Sequence, residues 1–150
     1  MAVEIRDRQR RVKADLRRLH KDTEQLLKEL SLSDVEVSVL LTNDSRIRLL
    51  NRSYRGKDKS TDVLSFPMDD EPHVPGHGPE VLLGDIVINL HMASRIASDN
   101  KEKLHDVIRQ LLVHGLLHLT GLDHEKGPEQ EKVMNARERK LINALKKMDK

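Results

Sequence analysis

From Leu111 to Leu119 the chain reads Leu-Leu-Val-His-Gly-Leu-Leu-His-Leu, apolar except for two histidines and a glycine. A run this apolar, closing a helical pattern that starts near Lys101, predicts a central buried helix around which the other elements pack. Val107, Leu111, His114 and His118 fall on one stripe at helical spacing, so the two imidazoles share a face one turn apart and point along the core side. Gly121 offers the left-handed backbone position that commonly ends a helix, and a turn there can bring His124 back towards the first two rings. Three imidazoles with no fourth protein ligand form the open arrangement of a catalytic zinc site. Two plainer readings compete with it: a core helix carrying histidines without a metal, and a closed structural site, which normally needs four ligands. The chain contains no cysteine, so neither a thiolate ligand nor a disulfide framework is available.

Elements expected around this helix follow from periodicity. Ala2 to Arg6 alternates as a short strand, and Val12, Leu16, Leu19, Leu26 and Leu30 suit one side of a long amphipathic helix. Val35 to Leu41 begins as a clean strand. Asn43 or Asp44 can cap a helix reaching about Arg52, followed by a basic turn from Tyr54 to Ser60 and a strand from Thr61 to Phe66. Met68 to Glu80, rich in proline and acidic residues, predicts a long surface loop; His73 and His77 lie in it without a helix to align them. Val81 to Asn89 reads as a strand whose Gly84 marks a bulge or a close approach, and Asp85 beside it reads first as a structural acceptor. A short helix from His91 to Ser98 follows, with Asp99 or Asn100 capping the central helix. Pro128 suits the first turn of a last helix, buried through Val133, Met134, Leu141, Ile142 and Leu145. The pattern therefore predicts one α/β (α+β) domain over residues 1–150, with four strands and about five helices.

The formal charge is only +2, but it is unevenly spread. Arg6 to Lys21 holds eight basic residues against Asp7 and Asp15, and Arg46 to Lys59 holds six against Asp58. Two such patches suit a polyanion, although solvated helix faces give the same pattern. Tyr54 and Phe66 are the only Phe, Trp or Tyr residues, which argues against an aromatic platform for single-stranded bases. No apolar run approaches a membrane span, and the charged stretch from Met1 to Arg11 lacks the apolar segment of a secretory signal. A cytoplasmic protein with no membrane partner is expected.

The spacing H-x3-H-x2-G-x2-H is that of the metzincin metalloproteases, which carry glutamate directly after the first histidine as general base. Here that position is Gly115, so a protease substrate is not expected. Together with Tyr54-Arg55-Gly56-Lys57-Asp58-Lys59-Ser60-Thr61-Asp62-Val63-Leu64-Ser65-Phe66-Pro67 and Leu83-Gly84-Asp85-Ile86, the motif resembles the YbeY family over nearly the whole chain. These are bacterial and organellar single-strand-specific endoribonucleases linked to ribosomal RNA maturation. Ser60 departs from the family's usual proline.

The resemblance implies a four-stranded mixed sheet with a metzincin-like zinc helix beneath it. It also implies a zinc-dependent hydrolase cutting RNA phosphodiester bonds, in maturation of the 3′ end of small-subunit ribosomal RNA and in ribosome quality control. Its partners would be ribosomal RNA and the small ribosomal subunit. His114, His118 and His124 would bind one Zn2+ together with water, and Arg55 would engage the scissile phosphate, which a planar guanidinium can grip with two hydrogen bonds. Asp123 reads as a supporting or turn residue. Water, a substrate hydroxyl and Asp85 each remain open as general base. The alternative is a non-catalytic RNA-binding assembly factor with a structural zinc.

Overall fold

The computed structural model describes residues 2–32, 34–68, 81–121 and 127–150. The expectations for His73, His77, Asp123 and His124, and for most of the stretch from Met68 to Glu80, lie outside those residues.

Strand β1 (Ala2–Asp7) leads into helix α1 (Leu16–Glu29), then β2 (Val35–Thr42) and α2 (Asp44–Arg55). Strands β3 (Val63–Pro67) and β4 (Val81–Asn89) follow, then α3 (Leu90–Asn100), α4 (Leu104–Leu119) and α5 (Pro128–Met148). Among the described residues, five helices and four strands match the expected content, with shifted boundaries. The first helix starts at Leu16, because the buried Gln9 side chain bonds Asp7 and both backbone groups of Val12, holding that segment in a turn. Asp15 then caps the helix by accepting from the Arg18 amide at 3.1 Å. Asp99 and Asn100 do not cap the central helix. They complete α3, which ends at Lys101 with φ 55°, and α4 begins after Lys103 without a side-chain cap. The second helix continues to Arg55, so Tyr54 and Arg55 sit on its last turn, closed by Gly56 at φ 70°.

The sheet order is β1-β2-β4-β3, with β1, β2 and β4 parallel and β3 antiparallel at the edge. Val37, Val39, Leu41, Ile86 and Ile88 face one way, into a core shared with Leu112, Leu116 and Leu117 of α4 and with α1 and α3, while α5 packs on α4 and α1 behind them. Helix α2 covers part of the other face through Ile47, packed on Leu64, Val87 and Phe66. The apolar run of α4 is thus the buried centre, as its composition requires. No helix among the described residues is long and apolar enough to cross a membrane.

Gly84 does both things a strand glycine can do. Pairing along β2 and β4 slips between Glu36 and Val37, leaving Leu83 as an extra residue beside it. At φ 151°, a Cβ on Gly84 would lie 2.5 Å from the Phe66 carbonyl oxygen and 2.8 Å from Leu119 Cδ2. Gly84→Ala is expected to destabilise the fold by about 2–3 kcal/mol, read by denaturant unfolding followed by circular dichroism. The carbonyl is backbone and cannot rotate away, so the strain must be taken by the β3–β4 ladder.

Candidate active site

His114 and His118 lie on α4 where it passes beneath edge strand β3, on the rim of the buried stripe rather than wholly inside it. Their Nε2 atoms converge to 3.0 Å, with ring centroids 4.5 Å apart. Two imidazole nitrogens bound to one zinc ion at its usual bond length would stand about 3.3 Å apart at a tetrahedral angle, so the pair fits a shared ion within a few tenths of an ångström. On the far side of the first ring, His114 Nδ1 lies 2.9 Å from Glu138 Oε1 of α5. A carboxylate there places the proton of a neutral imidazole on Nδ1 and turns the Nε2 lone pair towards His118, the arrangement that supports a metal-binding histidine. Among the described residues no group of three ligating side chains comes together, and His124 lies outside them.

Arg55 reaches the same place from the opposite side of β3. A cavity of about 370 Å³ is lined by Tyr54, Arg55, Val63, Ser65, Phe66, Pro67, His114 and His118. Larger grooves run between α5 and its neighbours, but they contain neither histidine. Arg55 is exposed, and no hydrogen bond or ion pair holds it among the described residues.

Local bonds fix the segment around it. Buried Asn51 donates to the Lys59 carbonyl at 3.0 Å, folding the basic turn back on α2. Asp44 accepts both arms of Arg95, at 2.8 and 2.9 Å, together with Asn89 Nδ2 at 2.7 Å and the Ser60 hydroxyl at 3.1 Å. The Arg95 guanidinium, aided by Asn89 and Ser60, holds the Asp44 carboxyl far below the usual carboxylate range. Ser60, where the resembled family usually has proline, therefore anchors the start of β3 by hydrogen bonds in place of ring stiffness.

The position after the first histidine has a structural reason to be glycine. A Cβ at Gly115 would stand 2.8 Å from Ile86 Cγ2, 3.1 Å from Ser65 Oγ and 3.3 Å from Val63 Cγ2, and Ser65 donates to the Gly115 carbonyl at 2.9 Å. A glutamate here would be driven into the sheet, so the proton acceptor of the proteases has no room. Asp85 pairs with Phe66 of β3, on the sheet face opposite α4.

Sequence reasoning missed Glu138, although a signal existed: it occupies the 134-138-141-145 stripe, whose other members are buried and apolar. It also treated the two basic patches alike. Only the second borders the cavity; the first follows β1 and α1, at the other edge of the sheet.

The family model for Endoribonuclease YbeY matches residues 4–146. The chain belongs to the YbeY family. It is 42% identical to the Endoribonuclease YbeY of Aquifex aeolicus over 97% of this chain and 92% of that one. With that of a Sulfurihydrogenibium species it shares 45% identity over 82% of this chain and 78% of the relative. A Thermotoga maritima protein known from its solution structure has a similar fold, with a TM-score of 0.64, 26% identity, and coverage of 95% of this chain and 88% of that one. The family's mixed sheet and central helix are therefore the scaffold on which the two histidines, Glu138 and Arg55 are arranged.

Proposed function

We propose that this chain is a metal-dependent endoribonuclease that cuts single-stranded RNA, with ribosomal RNA of the small subunit as its substrate in the cytoplasm. The observation that carries the reading is the convergence of the His114 and His118 Nε2 atoms on a cavity whose opposite wall bears Arg55. Family relatives named as endoribonucleases support the reaction class. In this reading His114, His118 and His124 hold one Zn2+, and Glu138 orients His114. A zinc ion held there supplies Lewis acidity towards a phosphoryl oxygen or a water molecule. Arg55 grips the scissile phosphate with its planar guanidinium and offsets the negative charge that develops on it. The exposed Arg52, Lys57 and Lys59 beside it raise the local concentration of polyanion.

The test is a gel assay of single-stranded ribosomal RNA cleavage, comparing wild type with His118→Ala purified identically, so that a contaminating ribonuclease would show in both. Cleavage by wild type alone is expected. Equal cleavage by both proteins, or by neither, overturns the enzymatic reading and leaves an RNA-binding assembly factor as the better one.

Glu138 gives a second, quantitative prediction. Loss of the partner that orients a metal-binding histidine costs about 10- to 100-fold in metal affinity. Glu138→Ala is therefore expected to bind zinc that much more weakly in competition with a chromogenic chelator, and Glu138→Gln, which keeps an acceptor, to fall between.

A further inference from the structure

The sequence contains one tyrosine, one phenylalanine and no tryptophan, and the fold places both rings on the wall of the histidine cavity. Tyr54 and Phe66 meet edge to face, with centroids 5.3 Å apart and an interplanar angle of 61°. Phe66 is half-buried against Ile47, Leu64 and Val87, which fixes it. Tyr54 is propped on it yet remains 72% exposed, on the last turn of α2 and next in sequence to Arg55. This open ring lines the same cavity as a cationic side chain and two imidazoles, and the volume of about 370 Å³ is that of a small-ligand pocket.

We propose that the Tyr54 ring is a stacking face for one unpaired nucleobase of the RNA, beside the phosphate that Arg55 grips. Composition rules out a platform for several bases, but one ring suffices for one base. A base paired and stacked inside a duplex cannot offer its face to a side chain, whereas an unpaired base can. Tyr54 would then contribute to the preference for single strands through geometry, while the basic residues bind either form. Phe66 acts through Tyr54 by holding the ring upright. This inference rests on the endoribonuclease reading and names the part of the substrate that its cavity takes.

Because Tyr54 is the sole tyrosine, 3-fluorotyrosine incorporated into the full chain gives a single fluorine NMR resonance that reports this ring alone. Adding a short single-stranded oligoribonucleotide should shift that resonance, and the duplex of the same sequence at equal occupancy should not. In parallel, Tyr54→Ala should bind the single strand about 10-fold more weakly, with the larger kinetic effect in KM, and Tyr54→Phe should restore binding because it keeps the ring. Circular dichroism of both variants controls for folding, and the resonance of the wild-type ring needs no substitution. If wild type binds and cleaves single-stranded RNA while the resonance stays still, the stacking inference fails and the enzyme reading stands. Equal loss of single-strand and duplex binding in Tyr54→Ala also overturns it. If wild type neither binds nor cleaves single-stranded RNA, the endoribonuclease reading itself fails, and this inference with it.

Discussion

Arg55→Ala is expected to slow cleavage of single-stranded RNA by about 10²- to 10³-fold, the usual cost of removing one preorganised group that stabilises developing charge. Stability should stay within about 0.5 kcal/mol of wild type, because the side chain is exposed and makes no bond within the described residues. Helix α2 keeps its left-handed cap at Gly56, and its buried anchors Ile47 and Asn51 are untouched. On the proposed reading zinc binding should also be unchanged, since Arg55 reaches the cavity from a different element than the histidines. Arg55→Lys separates charge from shape: an ammonium keeps the positive charge but loses the two-pronged grip, so an intermediate rate is expected. Single-turnover cleavage together with chelator-based metal analysis reads all three proteins. An Arg55→Ala enzyme cutting at the wild-type rate would remove the arginine from the reaction.

The largest effect on stability is expected at Arg109→Ala, about 3–5 kcal/mol, because it leaves a buried carboxylate without its main partner. Arg109 is almost fully buried and grips the fully buried Asp22 with bonds of 2.9 Å from Nε and from an Nη. It also bonds Asp149 at the end of α5, at 2.6 and 2.8 Å, and His105 completes the surroundings of Asp22 at 2.8 Å. One guanidinium thus ties α1, α4 and the end of α5 together. Replacing the pair at once, as Asp22→Leu with Arg109→Met, should cost less than Arg109→Ala alone, since no buried charge is then stranded and the more exposed Asp149 keeps Arg18.

The same cluster sets an acid dependence. Burial pushes the Asp22 carboxyl up, but bonds from His105 and Arg109 outweigh this and hold it below its ordinary value. Arg109 likewise holds Asp149 down to about 2. Both groups bind protons better in the unfolded chain, so their contribution is complete above the unfolded carboxylate pKa of about 3.9 and is lost as pH falls through the lower folded values. Wild type should therefore lose stability steeply below about pH 4. In Arg109→Ala only His105 opposes the burial of Asp22, so its carboxyl moves back up, less of its contribution is left to lose in acid, and the fall should be shallower than in wild type. Denaturant midpoints measured by circular dichroism across pH 2–7 would show it, and parallel curves for the two proteins would contradict this account.

Local chemistry made much of this protein legible in its sequence. Helical spacing puts His114 and His118 on one face wherever the helix lies, because the period of the backbone is fixed. The apolar run around them had to become the buried centre, and Gly84 had to mark an irregular strand. Family membership was legible too, since the motif from Tyr54 to Pro67 and the histidine spacing stand in the chain as written. Boundaries were less so: Gln9, Asp15 and Lys101 decide them through side-chain bonds and a left-handed turn that hydrophobic periodicity does not record.

What only tertiary structure decided are the pairs far apart in sequence. Glu138 meets His114 across 24 residues, and Arg109 meets Asp22 across 87, each through the packing of one helix on another. Tyr54 on α2 and Phe66 on β3 belong to different elements, and only packing brings their rings into contact on one wall. Gly115 looked like a missing catalytic carboxylate; the sheet pressed against it shows a position with no space for one. A backbone period is set by each residue and its near neighbours, so sequence suffices for it. A contact between helices depends on where every other buried side chain has come to rest, and only the folded chain contains that information.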